Sequence, residues 1–388
     1  MRRPTTHVCV ATGQNLANLI PVLQLGAQDV VILETAEMRQ SAGNLARALE
    51  HHGIAAQRMP LDDASPLSLR AAAERIAQEL DPLAVVLNAT GGTKLMVLAL
   101  VEHLRLLDTT NEARLHILYV ETQKDRLDWL APQAMTEPLD DVLDLRDIAA
   151  VQGYRLKRVA SEDPQWQCDA TERQRLTRRL GDNADSLAGF FGILNRLADA
   201  ALSENERDGR FVARQEFPYS PGNSYAAILR TAQDLGLLHW DRRREVVFSG
   251  KEAARYFRGG WLEEYAWLKL RGAKPRDFAV GVEIEWLSNR TRNELDVLAV
   301  SKNRLLVVEC KTSRLGRDEG RDAQVVYKLD HLAGRIGGLM TRRLLLTARP
   351  LSDETMRRAQ DSRIDVLAAA EVGRLSSYLR DWKAASKV

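Results

Sequence analysis

The chain predicts an α/β protein: two large units with a smaller connector between them. Three observations carry this. Over the first 150 residues, short β-branched runs alternate with segments of helical period, the rhythm of a largely parallel sheet. Beyond residue 250 the order becomes a helix, three strands, a second helix and a further strand. Charge also changes sense along the chain. Residues 1–150 carry 13 Lys and Arg against 20 Asp and Glu, residues 251–388 carry 27 against 19, and the segment between is near balance at 15 against 14. A polyanionic partner therefore suits the last third best.

At 388 residues, 45% hydrophobic and 28% charged, the composition is that of a soluble globular chain with room for two or three cores. No apolar stretch has the length of a membrane span and MRRPTTHVCV lacks a secretory apolar region, so the expected location is cytoplasmic. Cys9, Cys168 and Cys310 are odd in number and form no CxxC pair, and the seven histidines show no HExxH spacing. Neither a disulfide framework nor a cysteine or histidine zinc site is expected.

In the first unit, residues 1–150, the strands THVCVAT, DVVILET, AVVLNAT and HILYVET are separated by the helical segments NLIPVLQLG, MRQSAGNLARALEHHG and KLMVLALVEHLRLL. Right-handed crossovers place the loops that follow the strands on one edge, where such sheets bind ligands. Two of those loops are rich in polar donors and glycine. Thr12, Gly13, Gln14 and Asn15 follow the first strand; Asn88, Thr90, Gly91, Gly92, Thr93, Lys94 and Met96 lie in NATGGTKLM, which follows AVVL and opens a helix. Glycines let backbone amides approach a ligand, and a helix N-terminus favours negative charge, so a phosphate is the natural guest. Lys94 follows a threonine where GK[ST] is required, and GxGxxG is absent, which disfavours a Walker-type nucleotide triphosphatase. Helix capping is the alternative role for the first loop.

Residues 151–250 read as the connector: a helix around DSLAGFFGILNRLADAALS, a strand at RFVARQEFPYS, a helix near YAAILRTAQDLG and a hairpin at LLHWDRRREVVFSG. Helix followed by hairpin is also the pattern of a winged helix, although no basic recognition helix stands out.

The third unit, residues 251–388, opens with the helix KEAARYFRGGWLEEYAWLKLRG. The strands DFAVGVEIEW, NELDVLAVS and RLLVVECKT follow, then a helix through AQVVYKLDHLAGRIG and a strand RRLLLTA. Alternation along RLLVVECKT sends Glu309 and Lys311 to one face and Cys310 to the other. A short turn at SKNR lets the preceding strand bring Asp296 beside Glu309. Two carboxylates in one small site repel unless a cation lies between them, and oxygen donors suit magnesium or manganese. The alternative is a satisfied ion pair, with Asp296 held by Arg292.

Asp296, Glu309, Cys310 and Lys311 resemble the D…ExK signature of PD-(D/E)XK nucleases, with Leu295 where proline is often found. The resemblance implies a restriction-endonuclease-like fold in which Asp296 and Glu309 hold the metal and Lys311 positions or activates the attacking water. It assigns Glu263, in the helix segment Gly260, Trp261, Leu262, Glu263, Glu264, as a further acid, leaving Glu264 solvated. Tyr327 and Lys328 resemble a motif of the following helix. Arg290, Arg292, Lys328 and Arg335 are the expected contacts to the nucleic acid strand.

The two loops of the first unit, with YVETQKDRLDWL, resemble the ligand face of CARF domains, the Rossmann-like sensors of cyclic oligoadenylates. CARF sensor, connector and nuclease in this order resemble the ancillary nucleases of type III CRISPR systems. That resemblance implies a homodimer around one cyclic tetra-adenylate, which activates cleavage of DNA, RNA or both in antiviral defence. The competing reading is a non-enzymatic sensor that binds DNA through the connector.

Overall fold

The computed structural model describes residues 5–80, 84–107, 115–208, 211–313 and 319–384. In the first unit it shows β1 (Thr5–Val10), α1 (Leu16–Leu25), β2 (Asp29–Glu34), α2 (Arg39–His51), β3 (Ala55–Pro60), α3 (Pro66–Leu80), β4 (Ala84–Asn88), α4 (Lys94–Leu107), β5 (Leu115–Glu121), β6 (Arg126–Ala131), β7 (Met135–Pro138) and α5 (Leu145–Gln152). These seven strands form one sheet in the order β3-β2-β1-β4-β5-β6-β7. The first five run parallel and the last two antiparallel. The order reverses between β1 and β4, so the two polar loops flank the crevice where an open α/β sheet takes its ligand.

The middle segment contributes β8 (Tyr154–Val159), α6 (Pro164–Glu172), α7 (Gln174–Asp182), α8 (Ala184–Asp208), β9 (Arg214–Glu216), α9 (Asn223–Asp234), β10 (Leu238–Trp240) and β11 (Glu245–Phe248). Strands β9 to β11 make a small antiparallel sheet. Strand β8, however, lies at the edge of the C-terminal sheet, pairing with β12 (Asp277–Trp286). The first residues after 151 are thus built into the third unit.

That unit begins with α10 (Lys251–Arg255) and α11 (Trp261–Ala273), separated by a π-helical turn at Tyr256–Gly260. The single helix read from the sequence is therefore kinked. After β12 come β13 (Arg292–Ser301), β14 (Arg304–Lys311), α12 (Glu319–Gly337), β15 (Thr341–Thr347), α13 (Asp353–Asp361), β16 (Asp365–Ala368) and α14 (Leu375–Ala384), in a sheet ordered β16-β15-β14-β13-β12-β8. Central β14 is apolar on both faces: Leu305, Leu306, Val307 and Val308 are each at most 2% exposed. Such a side chain contributes about 1.5–3 kcal/mol when fully buried, which anchors β14 in the centre of the sheet.

The first and third units share a core in which Leu45, Leu49, Ile148 and Tyr154 join Leu329 and Leu332. A polar joint lies beside it. Asn303, at the tip of the β13–β14 hairpin and 1% exposed, accepts from Val142 N (2.9 Å) and Leu143 N (3.1 Å) and donates to the Asp140 carbonyl (2.7 Å). Gln24 at the end of α1 holds the same stretch, donating to the Pro138 carbonyl (2.9 Å) and accepting from Asp140 N (3.0 Å). Gln14 packs on the turn after α12: a Cβ at Gly338 would lie 2.1 Å from its Oε1.

Candidate active site and ligand face

The pairing of β13 with β14 runs from Ser301–Arg304 to Val297–Val308. Just past that last pair, the Asp296 carboxylate accepts a hydrogen bond from Cys310 N at 2.6 Å. Lys311 Nζ contacts Glu309 Oε1, the Cys310 carbonyl at 3.3 Å and Asp296 Oδ2 at 3.8 Å. Three oxygens thus converge on one ammonium at a strand fork. Arg292 does not hold Asp296; it pairs with Glu283 (3.3 Å) and Glu285 (3.6 Å).

Burial, and then the charge of Glu309, raises the Asp296 pKa to about 6. The Glu263 carboxyl is raised well above its ordinary range by burial and then by Asp296 and Glu294. For Lys311, burial opposes the charged form, but Asp296 and Glu309 outweigh it and the pKa rises. Crowded acids that resist ionisation form a place where positive charge is stabilised. Among the described residues no three His, Cys, Asp or Glu side chains already form a cluster for an ion. The oxygens of Asp296, Glu309 and the Cys310 carbonyl nonetheless face one cation in the form of the Lys311 ammonium, and an all-oxygen set of this kind fits a hard divalent ion.

Glu263 is aimed by the kink before α11. The Arg258 carbonyl accepts from Thr312 Oγ1 (2.9 Å), and Thr312 accepts from Asn195 Nδ2 on α8 (3.0 Å). The residue after Lys311 thereby ties the strand end to the turn that delivers Glu263. Glu264, expected in solvent, is 4% exposed and bonds Arg173 at 2.6 Å. This partner has no signature near Glu264 in the sequence, because Arg173 lies about ninety residues earlier, at the junction between α6 and α7.

The four basic residues expected on the nucleic acid separate. Lys328 is close enough to lower the Asp296 pKa. Arg290 and Arg292 gather with Arg155 and Lys157 around the Glu285 carboxylate, whose pKa the Arg290 hydrogen bond, with help from Arg155, pulls down to about 2. Arg335 stands over the Trp286 ring at 3.9 Å.

On the ligand face the candidate residues divide into a frame and a rim. Asn15 accepts from Thr12 N (2.9 Å) and donates to Ser41; Asn88 donates to the Ala17 carbonyl (2.9 Å) and accepts from Thr90 N (3.0 Å); Thr90 Oγ1 accepts from Val120 N (2.7 Å). Met96 is buried, its sulfur 3.3 Å from Thr93 N. These side chains hold the loops. Gly13, Gln14, Gly92, Thr93 and Lys94 are exposed and form the rim. Gly91 allows the loops to touch, since a Cβ there would lie 2.5 Å from the Val10 carbonyl oxygen.

The sequence matches the model of the Card1 CARF domain over residues 6–148 and that of the Card1-like endonuclease domain over residues 250–386. No curated protein matches it. Among solved structures, protein VC1899 from Vibrio cholerae superposes with a TM-score of 0.84 at 22% identity, covering 98% of both chains. Can2 from Sulfobacillus thermosulfidooxidans, in complex with cyclic tetra-adenylate, superposes with a TM-score of 0.76 at 23% identity, over 98% of this chain and 100% of that one. A type III CRISPR defence DNA nuclease activated by cyclic oligoadenylate gives a TM-score of 0.51 at 17% identity, over 91% of this chain and 46% of the other. With both models matched in this order, the chain joins a Card1-type CARF domain to a Card1-like endonuclease domain.

Proposed function

We propose that this protein is a metal-dependent endonuclease of type III CRISPR defence that cleaves DNA, RNA or both when cyclic tetra-adenylate binds its CARF domain. The observation that carries the reading is the strand fork, where the oxygens of Asp296, Glu309 and Cys310 converge on one cation. Asp296 and Glu309 are the residues to hold magnesium or manganese, with Glu263 beside them. A divalent ion supplies charge neutralisation at the phosphate and a water made nucleophilic at neutral pH. With an ion held there, Lys311 would orient the attacking water or stabilise charge on the phosphate under attack.

Cyclic tetra-adenylate as the trigger is supported by the exposed rim at the switch point and by the fold shared with Can2. A pair of chains around one ring is supported by Leu95, Leu98 and Leu106 of α4, 61–65% exposed at spacings that share a helical face. The joint at Asn303 and the contact of Gln14 with Gly338 give ligand-dependent motion a route to the catalytic hairpin. Activation requires the two arrangements to differ in ligand affinity.

The test is cleavage of labelled DNA and RNA with and without cyclic tetra-adenylate and divalent metal, in native protein, Glu309→Gln and Lys311→Ala. Ligand- and metal-dependent products that both substitutions abolish support the reading. Cleavage indifferent to both substitutions sinks the proposed site.

A further inference from the structure

A cavity of about 300 Å³ opens between α6, the π-helical turn and the start of α11, with Trp166, Arg255, Tyr256, Arg258 and Glu263 among its walls. Glu263 belongs both to this wall and to the catalytic cluster, so an occupant sits one residue from the reaction. The volume is at the lower end for small-molecule sites. The lining is charge-compensated: inside, Arg173 pairs with Glu264 (2.6 Å) and Asp169 (3.7 Å), and at the mouth the exposed Arg255 pairs with Glu252. A phosphate placed inside would meet Asp169 and Glu264 with their arginine already engaged. A flat neutral group faces instead the Trp166 indole, held edge-to-face by Trp267 (5.2 Å, 86°), and a guanidinium that already lies over the Tyr256 ring (5.2 Å).

The rim differs from the interior. Arg258 is 51% exposed and pairs only loosely with Asp199 at 3.9 Å. Its backbone is fixed, because its carbonyl takes the Thr312 hydrogen bond.

Resting on the nuclease reading above, we infer that this cavity receives the base of a nucleotide adjoining the scissile phosphate, with Trp166 as its stacking wall and Arg258 on a flanking phosphate. Aromatic stacking accepts any base, since each has a π-face. Trp166 is thus a positioning residue: it sets which phosphate reaches the catalytic cluster.

The experiment uses the full chain with cyclic tetra-adenylate, divalent metal and end-labelled oligonucleotides, each carrying one abasic residue at a different position. In native protein, the bond at one fixed offset from the abasic residue is cut about tenfold more slowly, a difference of about 1.4 kcal/mol. In Trp166→Ala all bonds are cut about tenfold more slowly and the offset effect disappears; Trp166→Phe restores both rate and offset. A native ladder without any offset, or an offset that survives Trp166→Ala, overturns the inference while leaving the nuclease reading intact. A uniform slowing in Trp166→Ala with no native offset means that the cavity serves the fold or another ligand, and overturns it too. Absence of any cleavage by native protein is a different result: it removes the nuclease reading and this inference with it.

Discussion

Replacing Asn303 isolates the joint between the CARF domain and the hairpin that carries the proposed site. Its side chain makes three hydrogen bonds to the 140–143 stretch, and its backbone N–H reaches Asp141 Oδ1 at 3.2 Å. Its φ of 57° is left-handed, a region Asn and Gly tolerate and Ala does not. Asn303→Gly keeps the turn and removes the bonds, at about 1 kcal/mol each, so about 3 kcal/mol of stability is lost. Asn303→Ala adds about 1–2 kcal/mol for the backbone. Asn303→Asp keeps an acceptor for Val142 N and Leu143 N but loses the donor to Asp140 and brings charge beside Asp141. Urea unfolding measures the stability, and the ratio of ligand-stimulated to basal cleavage measures the coupling. Asn303→Gly should lower the ratio at least fivefold while basal cleavage stays within twofold. Unchanged unfolding and an unchanged ratio in Asn303→Gly would refute the argument that this joint carries load or signal.

Gly91→Ala forces a Cβ against the Val10 carbonyl and parts the two loops; calorimetry should show cyclic tetra-adenylate binding weakened at least tenfold. Thr312→Val leaves the Arg258 carbonyl without its donor and should lower cleavage about tenfold while raising the metal concentration needed for half-maximal rate, with Thr312→Ser restoring both. His7 is 3% exposed with Nδ1 unpartnered, and burial lowers its pKa to about 4. The unfolded chain therefore takes up this proton first, so stability present above pH 6.5 is lost as pH falls toward 4. The 2.5-unit gap corresponds to about 3 kcal/mol, and His7→Leu should flatten that part of the pH–stability curve.

Much of the C-terminal sheet was legible because β12, β13 and β14 are long apolar runs bounded by turn residues, and the catalytic candidates lie at their charged interruptions. Strand β3 was not, because AAQRMP is an edge strand with only Met59 buried, and so lacks a hydrophobic period. β8 was missed for a related reason. YRLKRV turns charged residues outward, and nothing local marks β12 as its partner. The kink before α11 falls at Gly259–Gly260, a pair visible in the sequence, whereas the Thr312 bond to its turn and the Arg173 partner of Glu264 are long-range and have no local signature. In the ligand loops the residue types were readable, but their division into frame and rim follows from which side chains the neighbouring helix and strand ends consume.

The most direct measurement is single-turnover cleavage of a labelled strand by native protein and Glu309→Gln, each with cyclic tetra-adenylate, titrated with manganese and with magnesium. The account predicts ligand-dependent cleavage by native protein that rises with metal, and a rate at least a hundredfold lower for Glu309→Gln at saturating metal. Equal rates for the two proteins, or a native rate indifferent to metal removal by chelator, would contradict it.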